Sequence, residues 1–224
     1  MSADVRATVF QMPHLTTSPF RYALFYETPW KHKQTRKMTE LFNYSDNFHK
    51  ISYNDKLAIE NISTTITIKK NDLLQKVGHT CKTIYFLKSG IARIFYYKDG
   101  IDITESFAFE NNIIARVESL FTGNPSQKAI QILEDAEIIS INATQLFKLY
   151  DTKPNIERLF RLIFEKAYVE TINRIESIQF HSADERYKHL LKETNYLQKI
   201  PLKHIASYLG ITQVSLSRIR ATSK

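Results

Sequence analysis

The stretch "PLKHIASYLGITQVSLSRIRATSK", Pro201 to Lys224, places two short amphipathic segments on either side of a single glycine. Pro201 suits the first turn of a helix, where a missing N–H costs nothing and a fixed φ helps. Ile205, Ala206 and Leu209 then form one inward face, and Ala206 is small enough for another helix to approach closely. Gly210 supplies the left-handed conformation that ends one helix and turns the chain sharply. Ile211 plugs the corner, Thr212 caps the next helix, and Leu216 and Ile219 face inward. Gln213, Val214, Ser217, Arg218 and Ala221 fall together on the opposite, exposed face. Such a pair is a helix-turn-helix by mechanism, because the bend fixes the second helix at the steep angle with which it enters a major groove.

Charge supports that reading. Residues 182–224 hold eight Lys/Arg against three Asp/Glu, and phosphate binding is driven largely by counterion release. The whole chain carries 31 Lys+Arg against 23 Asp+Glu, a formal charge of +8. That balance favours a polyanionic partner, nucleic acid or an acidic membrane surface. A hydrophobic content of 43% and a charged content of 24% are those of a chain able to bury a core. No apolar run reaches the length needed to cross a bilayer, and no N-terminal signal with a continuous apolar region is present. The expectation is a soluble, cytoplasmic protein.

Upstream, from about Asn61 to Ile141, "STTITIKK", "TIYFLKSG", "IARIFYYKDG" and "AEIISI" are short β-branched and aromatic runs. Lys88-Ser-Gly90 and Lys98-Asp-Gly100 punctuate them as turns. Short strands at such spacing, with no long helix between them, predict an antiparallel sandwich or jelly-roll barrel. Ile66, Ile68, Ile84, Phe86, Ile91, Ile94, Ile132 and Ile139 are its interior candidates. From about Thr152 to Phe180 the period changes. Ile156, Leu159, Phe160, Ile163, Phe164, Ala167, Ile172, Ile175 and Ile178 recur three and four apart, which predicts one long helix with Pro154 near its start. Its stripe is wide enough to cover the barrel on one side and meet a partner helix on the other. "SADERYKHLLKETNYLQ" follows as a further helix, with Ser182 as cap and Asp184 and Glu185 in its first turn.

Residues 1–37 show neither periodicity, hold three of the six prolines and end in a basic run. They read as a disordered arm or a start-site extension. The rival is an arm that contacts DNA or a partner through Lys31, Lys33, Arg36 and Lys37.

The order of β-barrel, long helix and terminal hairpin resembles the cyclic-AMP receptor/fumarate-nitrate regulator (Crp/Fnr) superfamily of bacterial transcription factors, over about Met38 to Ala221. "IYFLKSGIARIFYYKDG" resembles the family's strand–Ser-Gly–strand signature, and "IASYLGITQVSLSRIR" its recognition hairpin. The resemblance implies an α+β chain. A cyclic-nucleotide-binding-like β jelly roll would occupy residues 38–151, a dimerisation helix 152–181 and a DNA-binding helix-turn-helix 182–224. It implies a homodimer on two-fold-related double-stranded DNA, with RNA polymerase as a further partner. Gln213, Val214 and Arg218 match the family's base-reading positions. Many members have an acid where this chain has Val214; an acid accepts from the cytosine amino group, whereas valine packs against a thymine methyl. Lys203, Thr212, Ser215, Ser217 and Arg220 are expected on the phosphates, which position without specifying. The chain resembles the short members that lack a β-hairpin wing.

In cyclic-nucleotide-binding members, a Gly-acidic-apolar motif and a downstream Arg-Ser/Thr pair hold the ribose and the cyclic phosphate. Here the corresponding segment is "NNIIARVESLFTGNPSQKAIQI", residues 111–132. Ala115 and Arg116 stand where glycine and the acid are expected, and Lys128 and Ala129 stand near the Arg-Ser/Thr pair. The departures remove a ribose acceptor and the guanidinium fork. A one-residue shift enlists Glu118, with no glycine before it. Cyclic AMP is therefore not expected as the effector. Arg116, Glu118, Ser126 and Lys128 are a candidate pocket for another small anion, and a purely structural crossover is the alternative.

Cys81 alone cannot supply a four-cysteine iron–sulfur ligand set. At a loop entering a strand it reads as a buried small hydrophobe rather than a haem ligand. The histidines show no paired metal spacing, and His204 is expected to meet phosphate or solvent. No cofactor is expected. Five dispersed glycines make no phosphate loop or dinucleotide fingerprint, and no nucleophile elbow occurs. Asp99, Asp102 and Glu105 read as solvated turn residues. An enzyme is thus disfavoured. The competing function is a ligand- or protein-binding module whose hairpin has lost sequence-specific DNA binding.

Overall fold

A computed structural model describes residues 38–222; the expectations for residues 1–37 lie outside them. Helices α1 (Thr39–Ser45) and α2 (Tyr53–Asn61) lead into eight strands. These are β1 (Ser63–Ile68), β2 (Leu73–Gln75), β3 (Thr83–Leu87), β4 (Ile91–Lys98), β5 (Ile101–Ala108), β6 (Asn112–Ile114), β7 (Ala129–Glu134) and β8 (Ala136–Asn142). A short helix α3 (Val117–Thr122) interrupts them after β6. The strands form two antiparallel four-stranded sheets, in the orders β1-β8-β3-β6 and β2-β7-β4-β5. The expected jelly-roll-like sandwich is present.

The central strands β3, β4, β7 and β8 are covered on both sides, which explains why they read as nearly unbroken apolar runs. Inside the roll lie Tyr85, Leu87, Ala92, Ile94, Ile130, Ile132 and Ile138, with Ile66 and Ile68 packed against them. Ile84, Phe86, Ile139 and Ile141 point the other way, into a layer built from α1, α2, α4 (Ala143–Tyr150) and the start of α5 (Pro154–Phe180). Ile91 and Leu133 leave the second sheet outward to meet the C-terminal helices. Thus the interior expectation holds for Ile66, Ile68, Ile94 and Ile132. It needs correction for Ile84, Phe86, Ile91 and Ile139, which are buried outside the roll because helices cap both of its faces.

Two turns show why particular residues are required. Asp99 and Gly100 both have positive φ, 51° and 77°, and close the two-residue β4–β5 hairpin. Gly90 has φ 96°, and a Cβ there would stand 2.7 Å from Ala136 Cβ.

Helix α5 runs for 27 residues from its N-terminal proline, about 40 Å. Ile156, Leu159, Phe160 and Ile163 bury its first half on the roll. Beyond them Tyr168, Val169, Ile175, Ile178 and Phe180 are exposed in the protomer. Helix α6 (Ala183–Glu193) starts with a full capping box: Ser182 accepts from the Glu185 N–H while the Glu185 carboxylate accepts from the Ser182 N–H. A 3₁₀ turn (Asn195–Lys199) leads to α7 (Leu202–Leu209) and α8 (Gln213–Thr222).

Candidate nucleic-acid interface

The terminal hairpin is built as its sequence dictates. Gly210 is left-handed at φ 68°, and its N–H donates to the Ser207 carbonyl. The Ile211 N–H donates back to the Ala206 carbonyl at 3.0 Å, which completes a Schellman closure of α7. Two arginines from outside the hairpin meet the remaining α7 carbonyls. Arg186 donates to Leu209 at 2.7 Å, and Arg174 donates to Tyr208 while lying over its ring. Cations at a helix C-terminus also oppose its dipole. Thr212 Oγ1 then accepts from the Ser215 N–H at 3.1 Å and caps α8. Ile205, Ala206, Leu209 and Leu216 form the core between the two helices, with Ile211 and Ile219 at its edge.

Helix α7 is docked on the roll, and α8 is not. The docking surface is the outer face of β4 and β5. Arg93, 2% exposed among the apolar residues of β4, pairs its two terminal nitrogens with the Asp102 carboxylate at 2.6 and 2.7 Å. It also donates to Thr104 Oγ1 at 2.9 Å and to His204 Nδ1 at 2.8 Å. Ser207 Oγ accepts from the Thr104 N–H and donates to the Asp102 carbonyl. Burial alone would raise the Asp102 carboxyl; the hydrogen bonds and charge of Arg93 more than reverse that and hold it below the usual carboxylate range. His204, expected to meet phosphate or solvent, instead lies buried against the Arg93 guanidinium. Asp102 is likewise engaged rather than merely solvated.

Every side chain expected to read bases lies on the open side. Gln213, Val214, Ser217 and Arg218 are exposed together on α8, Val214 at 63%. Lys203, Thr212 and Arg220 are exposed as well, while Ser215 is half-buried and shares a hydrogen bond with Thr212. Gln213, Val214, Ser217, Arg218 and Arg220 are thus all exposed on α8.

The candidate effector residues also converge, with one residue that the sequence reading placed elsewhere. Arg116 is buried at the start of α3 and donates to Glu118 at 3.2 Å and to Ser126 Oγ at 3.4 Å. Ser126 Oγ in turn donates to the Lys128 carbonyl. Glu105, expected as a solvated turn residue, reaches in from β5 and pairs with both Arg116, at 3.1 Å, and Lys128. Asp99 alone of the three hairpin acids sits in the turn, exposed. Cys81 is buried, its N–H bonded to Ser119 Oγ and its Sγ to the Thr83 carbonyl. Among the described residues no cluster of three metal-ligating side chains occurs, and no helix is long and apolar enough to cross a membrane.

Residues 65–153 match the family of the cyclic nucleotide-binding domain. No curated protein matches the sequence. Among solved structures, FixK2 from Bradyrhizobium japonicum is similar at a TM-score of 0.64 and 16% identity, over 72% of this chain and 84% of its own. A protein of the crp/fnr family from Eubacterium rectale is similar at a TM-score of 0.64 and 20% identity, over 80% of this chain and 87% of its own. The chain has the Crp/Fnr fold. CLP from Xanthomonas campestris, a c-di-GMP responsive global regulator, shares that fold at a TM-score of 0.61 and 14% identity, over 76% of this chain and 91% of its own. Within the Crp/Fnr fold, the α7–α8 pair is the terminal hairpin and the Arg116–Lys128 cluster lies in the cyclic nucleotide-binding domain.

Proposed function

We propose that the protein is a cytoplasmic, homodimeric, sequence-specific DNA-binding transcription regulator, not an enzyme, and that cyclic AMP does not control it. The observation that carries this reading is the asymmetry of the hairpin. Its first helix is locked onto the roll by Arg93, His204 and Ser207, whereas its second presents Gln213, Val214, Ser217 and Arg218 outward.

Each exposed side chain has a matching task. Arg218 can pair bidentately with guanine O6 and N7, Gln213 with adenine, and Val214 can pack on a thymine methyl. Lys203, Ser217 and Arg220 supply phosphate contacts, and the Thr212–Ser215 hydroxyl pair, which uses one of its two O–H groups internally, has the other to donate. A second copy of the chain covers the free half of α5. Tyr168 and Val169, together with Phe121 and Phe164, border an open groove of about 550 Å³ there, and Ile175 and Ile178 extend the same apolar surface. A two-fold seam along this helix sets the two hairpins about 34 Å apart, or at a multiple of that spacing, on one side of the duplex.

The domain limits that follow are a β-roll over 38–151, a dimerisation helix over 152–181 and a DNA-binding unit from 182 onward. Arg116, Glu118, Ser126 and Lys128 form the effector pocket, where a small anion would have to compete with the carboxylates paired to its two cations. RNA polymerase follows as a partner from the likeness to regulators. Selection of genomic fragments bound by the full chain, followed by footprinting, tests the reading. Two inverted half-sites at the stated spacing support it. The absence of any enriched sequence supports instead a ligand- or protein-binding module whose hairpin no longer reads DNA.

A further inference from the structure

Strand β5 departs from regular pairing at one residue. Ile94 pairs with Ser106 and Phe95 with Thr104, so Glu105 has no partner on β4. It is the extra residue of a β-bulge, a device that re-aims a side chain. The carboxylate so directed spans the two cations of the pocket: one oxygen accepts from Arg116 and the other from Lys128. Arg116 also donates to Glu118 and Ser126. Arg116 has a side chain only 6% exposed, and Glu105 and Lys128 are about two-thirds covered. The cluster is therefore neutral in sum, two bases against two acids, and each cation is already paired with a carboxylate. A phosphate entering here would meet no free cation and would bring its own charge against Glu105. To bind, it would have to strip that carboxylate from both partners and return it to water.

We propose that Glu105 is a built-in anion that occupies the effector cradle, standing where a ligand's phosphate would otherwise pair with Arg116 and Lys128. The proposal rests on reading these residues as the effector pocket. It specifies both the ligand class, a compact oxyanion, and the reason why the unmodified chain resists it. Neutralising one residue should open the site, because Arg116 and Lys128 would then face each other with a net positive charge and vacant donors.

Isothermal titration calorimetry on the full chain, with inorganic phosphate and with cyclic AMP as separate probes, tests this without any DNA present. Failure here is thus separable from failure of the regulator reading. The wild type is expected to bind neither probe at millimolar concentration. Glu105→Gln is expected to gain at least tenfold in affinity for one or both, and adding Lys128→Met should remove that gain. Glu105→Ser serves as a second opening variant, and thermal unfolding confirms that each is folded. Wild-type binding as tight as that of the variants would overturn the proposal. So would folded variants that gain nothing.

Discussion

Arg93 on β4 donates to His204 Nδ1 across 2.8 Å, and this contact ties the roll to the first helix of the terminal hairpin. A guanidinium cannot accept, so the imidazole must present its lone pair at Nδ1 and carry its proton at Nε2. The ring is held neutral: burial, then the adjacent Arg93 charge, lower its pKa to about 4. Asp102 pulls the other way and Lys203 adds to the lowering.

Above about pH 6.5 the ring is neutral whether α7 is docked or free, and the contact contributes fully. As pH falls from there toward about 4, the free form takes up a proton that the docked form rejects. Docking weakens by no more than about tenfold per pH unit, since one proton is involved. His204→Gln, which keeps a neutral acceptor, should lose this component. Calorimetric unfolding midpoints across that range are expected to fall more steeply for the wild type than for the variant; equal slopes would count against the contact.

Asp102→Asn leaves Arg93 buried without its carboxylate partner. Breaking a buried pair on one side costs about 3–5 kcal/mol. Because the Asp102 side chain is 30% exposed, water offsets part of this, and a loss of roughly 2 kcal/mol is expected. Chemical denaturation of the full chain measures it.

Two glycines should respond differently to alanine. At Gly90 the new methyl would stand 2.7 Å from Ala136 Cβ, at a positive φ, so strain and overpacking add to about 3 kcal/mol. At Gly210 nothing lies within 4 Å, and only the left-handed backbone is penalised, by about 1–2 kcal/mol. Denaturation midpoints should rank Gly90→Ala clearly below Gly210→Ala.

A charge on the free half of α5 should separate the protomers without unfolding them. Val169 and Ile175 are exposed in the protomer, so Val169→Glu with Ile175→Glu removes no protomer core. Sedimentation is expected to show a dimer for the wild type and a monomer for the variant. A monomeric wild type would contradict the seam.

Local chemistry made the hairpin legible. Gly210, Thr212 and the Ser182–Glu185 box announce their roles within a few residues of themselves, and Leu216 or Ile205 declare a face by spacing. What joins parts of the chain far apart in sequence did not show. Arg93 and His204 are 111 positions apart, and nothing near either names the other; the one hint was an arginine inside the apolar run "IARIFYY". Glu105 was hidden for a related reason. A bulge changes which side a residue faces, and alternation of side chains predicts only the unbulged strand. The apolar strands of the roll could not say which of their two faces pointed inward, because both are buried.

Helix α8 is proposed to read base edges. Titration of the selected DNA with wild type, Arg218→Ala and Lys203→Ala tests it most directly, at fixed salt and against a scrambled duplex. Loss of Arg218 should weaken specific binding by about 1–3 kcal/mol, roughly five- to 150-fold, and relax preference at one base pair in each half-site. Loss of Lys203 should weaken both duplexes alike. If Arg218→Ala leaves the preference for the selected sequence intact, α8 is not the reading helix.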